Sequence, residues 1–367
     1  MSGPVPRVVF VSPPLDASGG IGRVTSYALA ALPAGTPVRV LDSRGYARHP
    51  VLSLFPLLRV CATLAALGLA RGADLVHVNL SSGGSTLRKG IVVAVCRAVR
   101  LPVVLHLHAS NYPDFFDALP GAAKRTVRWM FRSAASVVVL GETWRAYVLG
   151  TLRVPPGRVT VLPNAAPAGP AAPAGAGSRP EVLFLGRLGE RKGTPELLVA
   201  LADPGLRHVH TTLAGDGPVA EYRRRAAALG LADRTRFPGW VDVATAGDLL
   251  AHAAVLVLPS HAEGSPMAVI EAFAHGVPVV TTPVGGVPEL VTDGVNGLLV
   301  PPGDPDTLAA ALVRLLTDEP LRALLAAGAR ATWARAHTPD AYAAGLLTVW
   351  REVLGGVPAT AAFKGES

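Results

Sequence analysis

The 367-residue sequence predicts an α/β protein made of two doubly wound parallel-sheet domains. Three observations predict this. Short, near-continuous Val/Leu runs alternate with helix-length segments. That alternation occurs twice. A Pro/Ala/Gly stretch separates the two rounds. Apolar runs without polar alternation suit strands buried on both faces, and such strands belong to parallel sheets covered by helices.

In chain order, the first round of strands is "RVVFVS", "PVRVLD", "DLVHVN", "PVVLHLH" and "SVVVLG". The stretch "PNAAPAGPAAPAGAGSRP", Pro163 to Pro180, follows and suits neither a helix nor a central strand. The second round is "EVLFLG", "HVHTTLAG", "AVLVLPS", "VPVVTT" and "NGLLVP". After Asp304 come three helical segments, "DPDTLAAALVRLLTD", "EPLRALLAAGARATWARAH" and "TPDAYAAGLLTVWREVL". Each opens with an acidic or Thr cap and a proline in the first turn. The expected boundaries are a first domain over 1–165, a linker over 166–180, a second domain over 181–337, and a last helix and tail over 338–367. The two domains are expected to face each other across a cleft, with ligands beyond the carboxyl ends of the strands.

Composition narrows the function. Half of the residues are hydrophobic and 16% are charged, which suits large cores. Two cysteines, Cys61 and Cys96, lie in apolar helical stretches, against a disulfide framework or metal cluster and in favour of a reducing compartment. The start, MSGPVPRVVFVSPP, lacks the apolar core of a signal peptide, so a cytoplasmic protein is expected. "VLSLFPLLRVCATLAALGLA", Val51 to Ala70, is long enough to span a bilayer. Arg59 at its centre and Pro56 favour a buried helix packed on a sheet instead, with a membrane-surface role as the alternative. Residues 1–170 hold 18 Lys/Arg against 6 Asp/Glu, and the remainder 16 against 20. The basic half suits an anionic membrane or substrate. No aromatic-basic interleaving points to nucleic acid.

Chemistry-bearing stretches sit at the expected strand ends. "SPPLDASGGIGR" places Gly19 and Gly20 at a helix start, where amides and the helix dipole favour an anion. A nicotinamide dinucleotide site fits less well. Thr25 stands at the third glycine position, and Ser12–Gly19 is long for the tight turn. His108 in "HLHASNY" lies just past a strand, with His106 on the same side of the pleat. In "LFLGRLGERKGTPELL", Arg187 and Lys192 flank Gly189, a pairing that suits a diphosphate. Both cations are expected in an open cleft. "LAGDGP" and "FPGWV" are further turns, and backbone groups around Trp240 and Val241 could hold a flat base by its edge.

The densest stretch is "LPSHAEGSPMAVIEAFAHGVPVVTTPVGGVPELVTDGVNGLLVPPGD", Leu258 to Asp304. Glu263 precedes a Gly-Ser-Pro-Met turn and Glu271 falls in the helix beyond it. A carboxylate there can accept two hydroxyl hydrogen bonds, as from a ribose, and gains from the helix N-terminus. Glu263 could bind a sugar's hydroxyls. A metal site is disfavoured: third and fourth ligands are missing, and the one D-x-D, Asp304-Pro305-Asp306, reads as a helix cap.

On these motifs the chain resembles the retaining nucleotide-sugar glycosyltransferases of the GT-B fold, within the large bacterial family 4. The E-x7-E pair, "GVPVV", "GGVPE", "NGLLV-PPGD" and "LFLGRLGERKG" carry the resemblance, which covers essentially the whole chain. It implies two Rossmann-like domains and a C-terminal helix crossing back to the first. Arg187 and Lys192 would bind the donor diphosphate, Gly19 and Gly20 the distal phosphate or acceptor, and His108 the donor sugar. Glu263 would hold that sugar, Glu271 the ribose, and Trp240, Val241, Ser265 and Met267 would complete the donor site. The reaction would need no metal, no cofactor and no protein nucleophile. The co-substrate would be a nucleoside-diphosphate sugar, UDP- ahead of GDP-, and the acceptor a glycan or lipid-linked hydroxyl. A small natural product as acceptor, or a catalytically silent sugar-nucleotide-binding protein, are the alternatives. Two departures stand out. Gly264-Ser265-Pro266-Met267 replaces the usual Gly-Phe-Gly, as in an exopolysaccharide-assembly subset, and Pro266 has no N–H. Asn164-Ala165 replaces the usual Asn-Gly.

The segment "KRTVRWMFR" sets Lys124, Arg125, Arg128 and Arg132 near one helical face beside Trp129, Met130 and Phe131. That pattern suits weak docking on an anionic membrane, peripheral at the inner face of the cell membrane, and equally a solvated helix whose apolar residues face the core.

Overall fold

The computed structural model describes residues 6–14, 20–43, 45, 54–169 and 181–355. They form two compact units. The first runs to Asn164 and resumes at Pro339, and the second is Ala165–Thr338.

Among its described residues the first unit carries six strands: β1 (Val8–Ser12), β2 (Val38–Asp42), β3 (Leu75–Leu80), β4 (Val103–Leu107), β5 (Ser136–Val139) and β6 (Val159–Val161). They pair in parallel in the order β2-β1-β3-β4-β5-β6. Among the described residues six helices connect them: α1 (Gly20–Ala31), α2 (Leu54–Leu69), α3 (Gly84–Ala98), α4 (Tyr112–Asp117), α5 (Gly121–Ser133) and α6 (Glu142–Gly150). Every residue of β1, β3, β4 and β5 is buried, as continuous apolar runs require in a sheet covered on both faces.

The second unit repeats the plan. Its strands are β7 (Glu181–Leu185), β8 (His210–Ala214), β9 (Thr235–Gly239), β10 (Val255–Leu258), β11 (Val279–Thr281) and β12 (Gly297–Leu299). The order is β12-β11-β10-β7-β8-β9, again parallel. Its helices are α7 (Thr194–Leu201), α8 (Val219–Ala228), α9 (Val243–His252), α10 (Met267–Ala274), α11 (Val287–Leu290), α12 (Pro305–Thr317) and α13 (Glu319–Ala336). Asp304 and Asp318 cap α12 and α13 by accepting from the Thr307 and Leu321 amides. Asp304-Pro305-Asp306 is thus a helix start. The second unit has the dinucleotide-fold strand order, reversing between β7 and β10. The first has the flavodoxin-like order, reversing between β1 and β3.

The last helix, α14 (Pro339–Gly355), belongs to the first unit and packs on α1. Tyr342, Leu346 and Trp350 are buried there. Gly345 lies where an added Cβ would come within 2.5 Å of Leu162 Cδ1. Trp350 also reaches the sheet: its Nε1 donates to His77 Nδ1 at 3.2 Å, and His77 Nε2 meets His106 Nδ1 at 3.2 Å. An indole N–H only donates, so His77 Nδ1 is bare and its hydrogen is on Nε2. That hydrogen goes to His106 Nδ1. The His106 hydrogen is then on Nε2, which is buried with no partner among the described residues. Burial pushes the His77 pKa down to about 3 and the His106 pKa well below its ordinary value, with the neighbouring histidines adding to the shift.

Several expectations need correction. Two strands, β6 and β9, escape the apolar-run criterion. The first is only Val-Thr-Val at a sheet edge, and the second contains Pro238 and a register shift. The α2 helix is not wholly buried. Leu57, Val60 and Leu64 face the core, while Leu54, Phe55, Leu58 and Leu69 are exposed; residues 51–53 lie outside the described residues. On α5, Met130 and Phe131 are core residues, and Trp129 alone of the three is exposed. Lys124 and Arg128 lie over the Phe116 ring and donate to the Asp117 and Thr151 carbonyls. Of the segment 166–180, residues 170–180 lie outside the described residues. Ala166 is packed into the second unit, its amide on His337 O and its carbonyl accepting from Trp333 Nε1. Cys61 and Cys96 are free thiols, and burial pushes Cys96 up to about 12. Among the described residues no helix is long and apolar enough to cross a membrane.

The buried histidines make stability depend on pH. Each is neutral when folded and regains its ordinary pKa of 6.5 when unfolded. The unfolded chain therefore binds more protons below 6.5, so stability is full above that pH and declines as pH falls. Between pH 7 and 5 the expected loss is about 2 kcal/mol for His77, and His106 adds to it in the same direction. Urea unfolding at the two pH values checks it, and equal midpoints would contradict the assignment.

Candidate functional site

In the second unit the strand order reverses between β7 and β10, so the loops leaving these strands diverge and open a crevice at their carboxyl ends. The β7 loop continues into a single turn over Glu190–Lys192, and the β10 loop carries Ser260 to Met267. The two are stitched together. The His261 amide donates to Arg191 O at 2.9 Å, and Arg191 Nη1 donates to Ala262 O at 3.0 Å. Gly189 donates to Thr194 Oγ1 at 3.0 Å, closing the turn onto α7.

This stitching brings Lys192 onto Glu263. The Lys192 ammonium pairs with Glu263 Oε1, and Ser260 Oγ donates to the same oxygen at 2.7 Å. Glu263 is 5% exposed and the Lys192 side chain 15%, so the pair is largely withdrawn from water. Its surroundings admit no extra carbon at two points. Gly193 has φ +68°, and a Cβ there would sit 1.9 Å from Pro259 O. Gly285 has φ +57°, and its Cβ would sit 1.8 Å from Glu263 O. Both positions need glycine for conformation and for space. Lys192 is therefore not in the open position expected of it. Arg187 is: its side chain is 64% exposed and pairs with Asp216 beyond β8 at 2.8 Å.

The other donor-site candidates of this unit differ in exposure. Ser265 is half-buried, Met267 is buried at the first position of α10, and Val241 is buried beside a half-exposed Trp240. Glu271 is buried in the middle of the eight-residue α10, which has no acid in its first turn. The helix-dipole argument does not reach it, because that effect fades within the first turn. Among the described residues no three His, Cys, Asp or Glu side chains gather as a metal-holding group.

The first unit carries its own polar cluster, at the β1/β3 reversal. His108 follows β4, its amide on Leu80 O at 2.9 Å. Its Nε2 meets Asn79 Oδ1 at 3.2 Å. Asn79 Nδ2 in turn donates to Thr25 Oγ1 at 2.8 Å and lies 3.2 Å from Ser12 Oγ. The His106 and His108 rings lie 4.0 Å apart, tilted by 32°. Part of the His108 surface stays open, yet the enclosing chain lowers its pKa to about 3. Gly20 starts α1, and Gly19 lies outside the described residues.

Sequence reasoning missed Ser260, Asp216, Asn79 and Thr25. Ser260 and Asp216 stand in stretches already singled out. Asn79 was visible as the polar residue ending "DLVHVN". Nothing local marked Thr25 as the partner of a residue 54 positions away.

Comparison with known proteins adds the family. Residues 7–165 match the glycosyl transferase 4-like domain, and residues 179–318 match glycosyl transferases group 1. The alpha-D-kanosaminyltransferase of Streptomyces kanamyceticus is 28% identical over 76% of this chain and 77% of that enzyme. The D-inositol 3-phosphate glycosyltransferase of Saccharomonospora viridis is 37% identical over 50% of this chain and 43% of its own length. A solved Anabaena protein, HepE in complex with UDP and glucose, superposes with a TM-score of 0.75 at 21% identity, over 96% of this chain and all of that one. That likeness shows the GT-B fold. With one family domain matched in each unit, the chain belongs to the group 1 glycosyltransferases and is an enzyme of that kind.

Proposed function

We propose that the enzyme moves a hexosyl unit from a nucleoside-diphosphate sugar, UDP- ahead of GDP-, to a hydroxyl of a glycan or lipid-linked acceptor. The anomeric configuration is retained and no metal is needed. The observation that carries this reading is the Lys192–Glu263–Ser260 constellation at the β7/β10 reversal. Lys192 has three donor hydrogens, so it can meet a diphosphate oxygen while still on Glu263. Arg187 adds an exposed guanidinium fork suited to phosphate oxygens. The two cations stabilise the charge that grows on the departing diphosphate, the part a metal would otherwise play. Glu263 takes the sugar's hydroxyls and Glu271 the ribose, with Ser265, Met267, Trp240 and Val241 around them. The acceptor oxygen bonds to the anomeric carbon on the face the phosphate leaves, and its proton passes to that phosphate. His108 contacts the donor sugar. HepE, with UDP and glucose bound, supports a UDP-sugar donor.

A second acceptor class has a specific observation behind it. The inositol phosphate glycosyltransferase relative is named for a small phosphorylated acceptor. The first-unit surface bears on the choice. Leu54, Phe55 and Leu58 on α2, with Leu87 and Ile91 on α3, are exposed apolar residues on two helices that pack together. Arg59 and Arg88 lie among them in sequence. They favour the lipid-linked acceptor, whose membrane contact we place there, with the basic face of α5 as an auxiliary.

Three outcomes are expected. Arg187→Ala lowers turnover about 100-fold or more and leaves the urea midpoint unchanged. Lys192→Ala lowers turnover as far but also costs about 3 kcal/mol, because it strands a buried carboxylate. In the same series, Glu271→Gln weakens binding of the bare nucleoside diphosphate while Glu263→Gln spares it. The opposite pattern would exchange their roles.

Proton NMR of the product is expected to show the donor's anomer, formed equally well in a chelator. An inverted product or a strict divalent-metal requirement would contradict the diphosphate assignment.

Co-sedimentation with anionic vesicles is expected to be salt-sensitive and to weaken in Phe55→Ser/Leu58→Ser. Equal recovery on neutral and anionic vesicles would favour the small-molecule acceptor.

A further inference from the structure

The first-unit cluster fixes more than the place of His108. Thr25 Oγ has a single hydrogen, and it is given to Ile21 O at 2.7 Å. Toward Asn79, then, Thr25 can only accept. The group 2.8 Å away must be the amide nitrogen of Asn79, since a carbonyl oxygen there would set lone pair against lone pair. Ser12 Oγ, 3.2 Å from the same nitrogen, can take its second hydrogen. With its NH₂ side committed, Asn79 presents Oδ1 to His108 Nε2 at 3.2 Å. A carbonyl oxygen requires a hydrogen from that ring nitrogen.

We infer that Asn79 is a positioning residue that holds His108 as the Nε2–H tautomer, leaving Nδ1 as a bare acceptor for a hydroxyl of the donor sugar. The inference deepens the proposed function, since it rests on His108 as the sugar contact. The chain of constraint runs from Ile21 O through Thr25 and Asn79 to one ring nitrogen, across α1, β3 and the end of β4. His106, its ring 4.0 Å away at a 32° tilt, restrains the plane of His108. A neutral ring agrees with the lowered pKa. His106 is the titratable group whose ring lies against His108, with His77 behind it, and both are neutral. The consequence is a specificity rule. A site that accepts a hydroxyl's hydrogen discriminates against donors in which that hydroxyl is absent or capped, because the nitrogen is then left without its partner.

The test uses the full-length protein labelled with ¹⁵N-histidine, with His108→Gln to assign the resonance. Long-range proton–nitrogen correlation at pH 7 is expected to show a neutral His108 with hydrogen on Nε2. Asn79→Leu should lose that tautomer preference, with kcat/KM falling roughly tenfold or more, the effect of a wrong tautomer at a reacting site. Asn79→Asp should keep the tautomer, because a carboxylate accepts the same hydrogen. It should also raise the His108 pKa, so that activity falls on acidification where wild type stays level. Hydrogen on Nδ1, a charged ring at pH 7, or identical tautomer and pH profile in all three proteins would overturn the inference. The tautomer is read without turnover, so a failed transferase assay counts against the proposed function and not against Asn79.

Discussion

The second unit is organised around a carboxylate and an ammonium that have given up most of their water. Removing both charges from solvent costs several kcal/mol each, and their attraction offsets this only with good geometry and further hydrogen bonds. Glu263 has both. Lys192 and Ser260 share one of its oxygens, and the loops that carry the two charges are bonded to each other through Arg191, His261 and Ala262. The glycines at 193 and 285 follow from the same requirement. They let the Pro259 and Glu263 carbonyls approach distances that a side chain would forbid. A buried ion pair is a poor way to stabilise a domain when apolar residues would do as well. It is a reasonable way to hold a cation ready where negative charge develops, which is the use assigned to it here.

The first unit solves a parallel problem with neutral groups. At its strand-order reversal stand Ser12, Thr25, Asn79 and His108. Behind them Trp350 ties the C-terminal helix to His77 and His106. These histidines are uncharged, so the cluster is ordered by hydrogen-bond direction and not by Coulomb attraction. Directional networks of this kind tolerate few rearrangements. One threonine hydroxyl on α1 decides the orientation of an amide on β3, and that amide decides which nitrogen of a histidine is bare.

Much of the fold was legible because its strands are unambiguous. Runs such as "RVVFVS" and "AVLVLPS" can hardly be anything but buried parallel strands, and Asp304 announces its helix, whereas the cap of α13 is Asp318, one residue before the Glu319 that the sequence points to. The strands that were missed, β6 and β9, lie at sheet edges, where burial pressure is weak and a proline is tolerated. Helix faces were harder. The sequence "KRTVRWMFR" is amphipathic in either setting, and only packing shows that Met130 and Phe131 turn inward. On α2 the single charge, Arg59, is too little to show how many of the apolar residues around it stay exposed.

The candidate site shows the same division between residue identity and arrangement. Arg187, Lys192 and Glu263 could be picked out because a charged residue in the loop after an apolar strand is conspicuous, and Glu271 because it lies eight residues beyond Glu263 in an otherwise apolar helix. Their surroundings could not. Lys192 and Arg187 look alike in "GRLGERKG", five positions apart, yet one is enclosed against Glu263 and the other lies open against Asp216. The difference comes from the turn at Glu190–Lys192 and its bonds to a loop 71 residues further on, a long-range contact that no local pattern encodes. The two cations therefore cannot be equivalent in energy. Losing the enclosed one unbalances a buried acid, whereas losing the open one removes only what it does for a ligand.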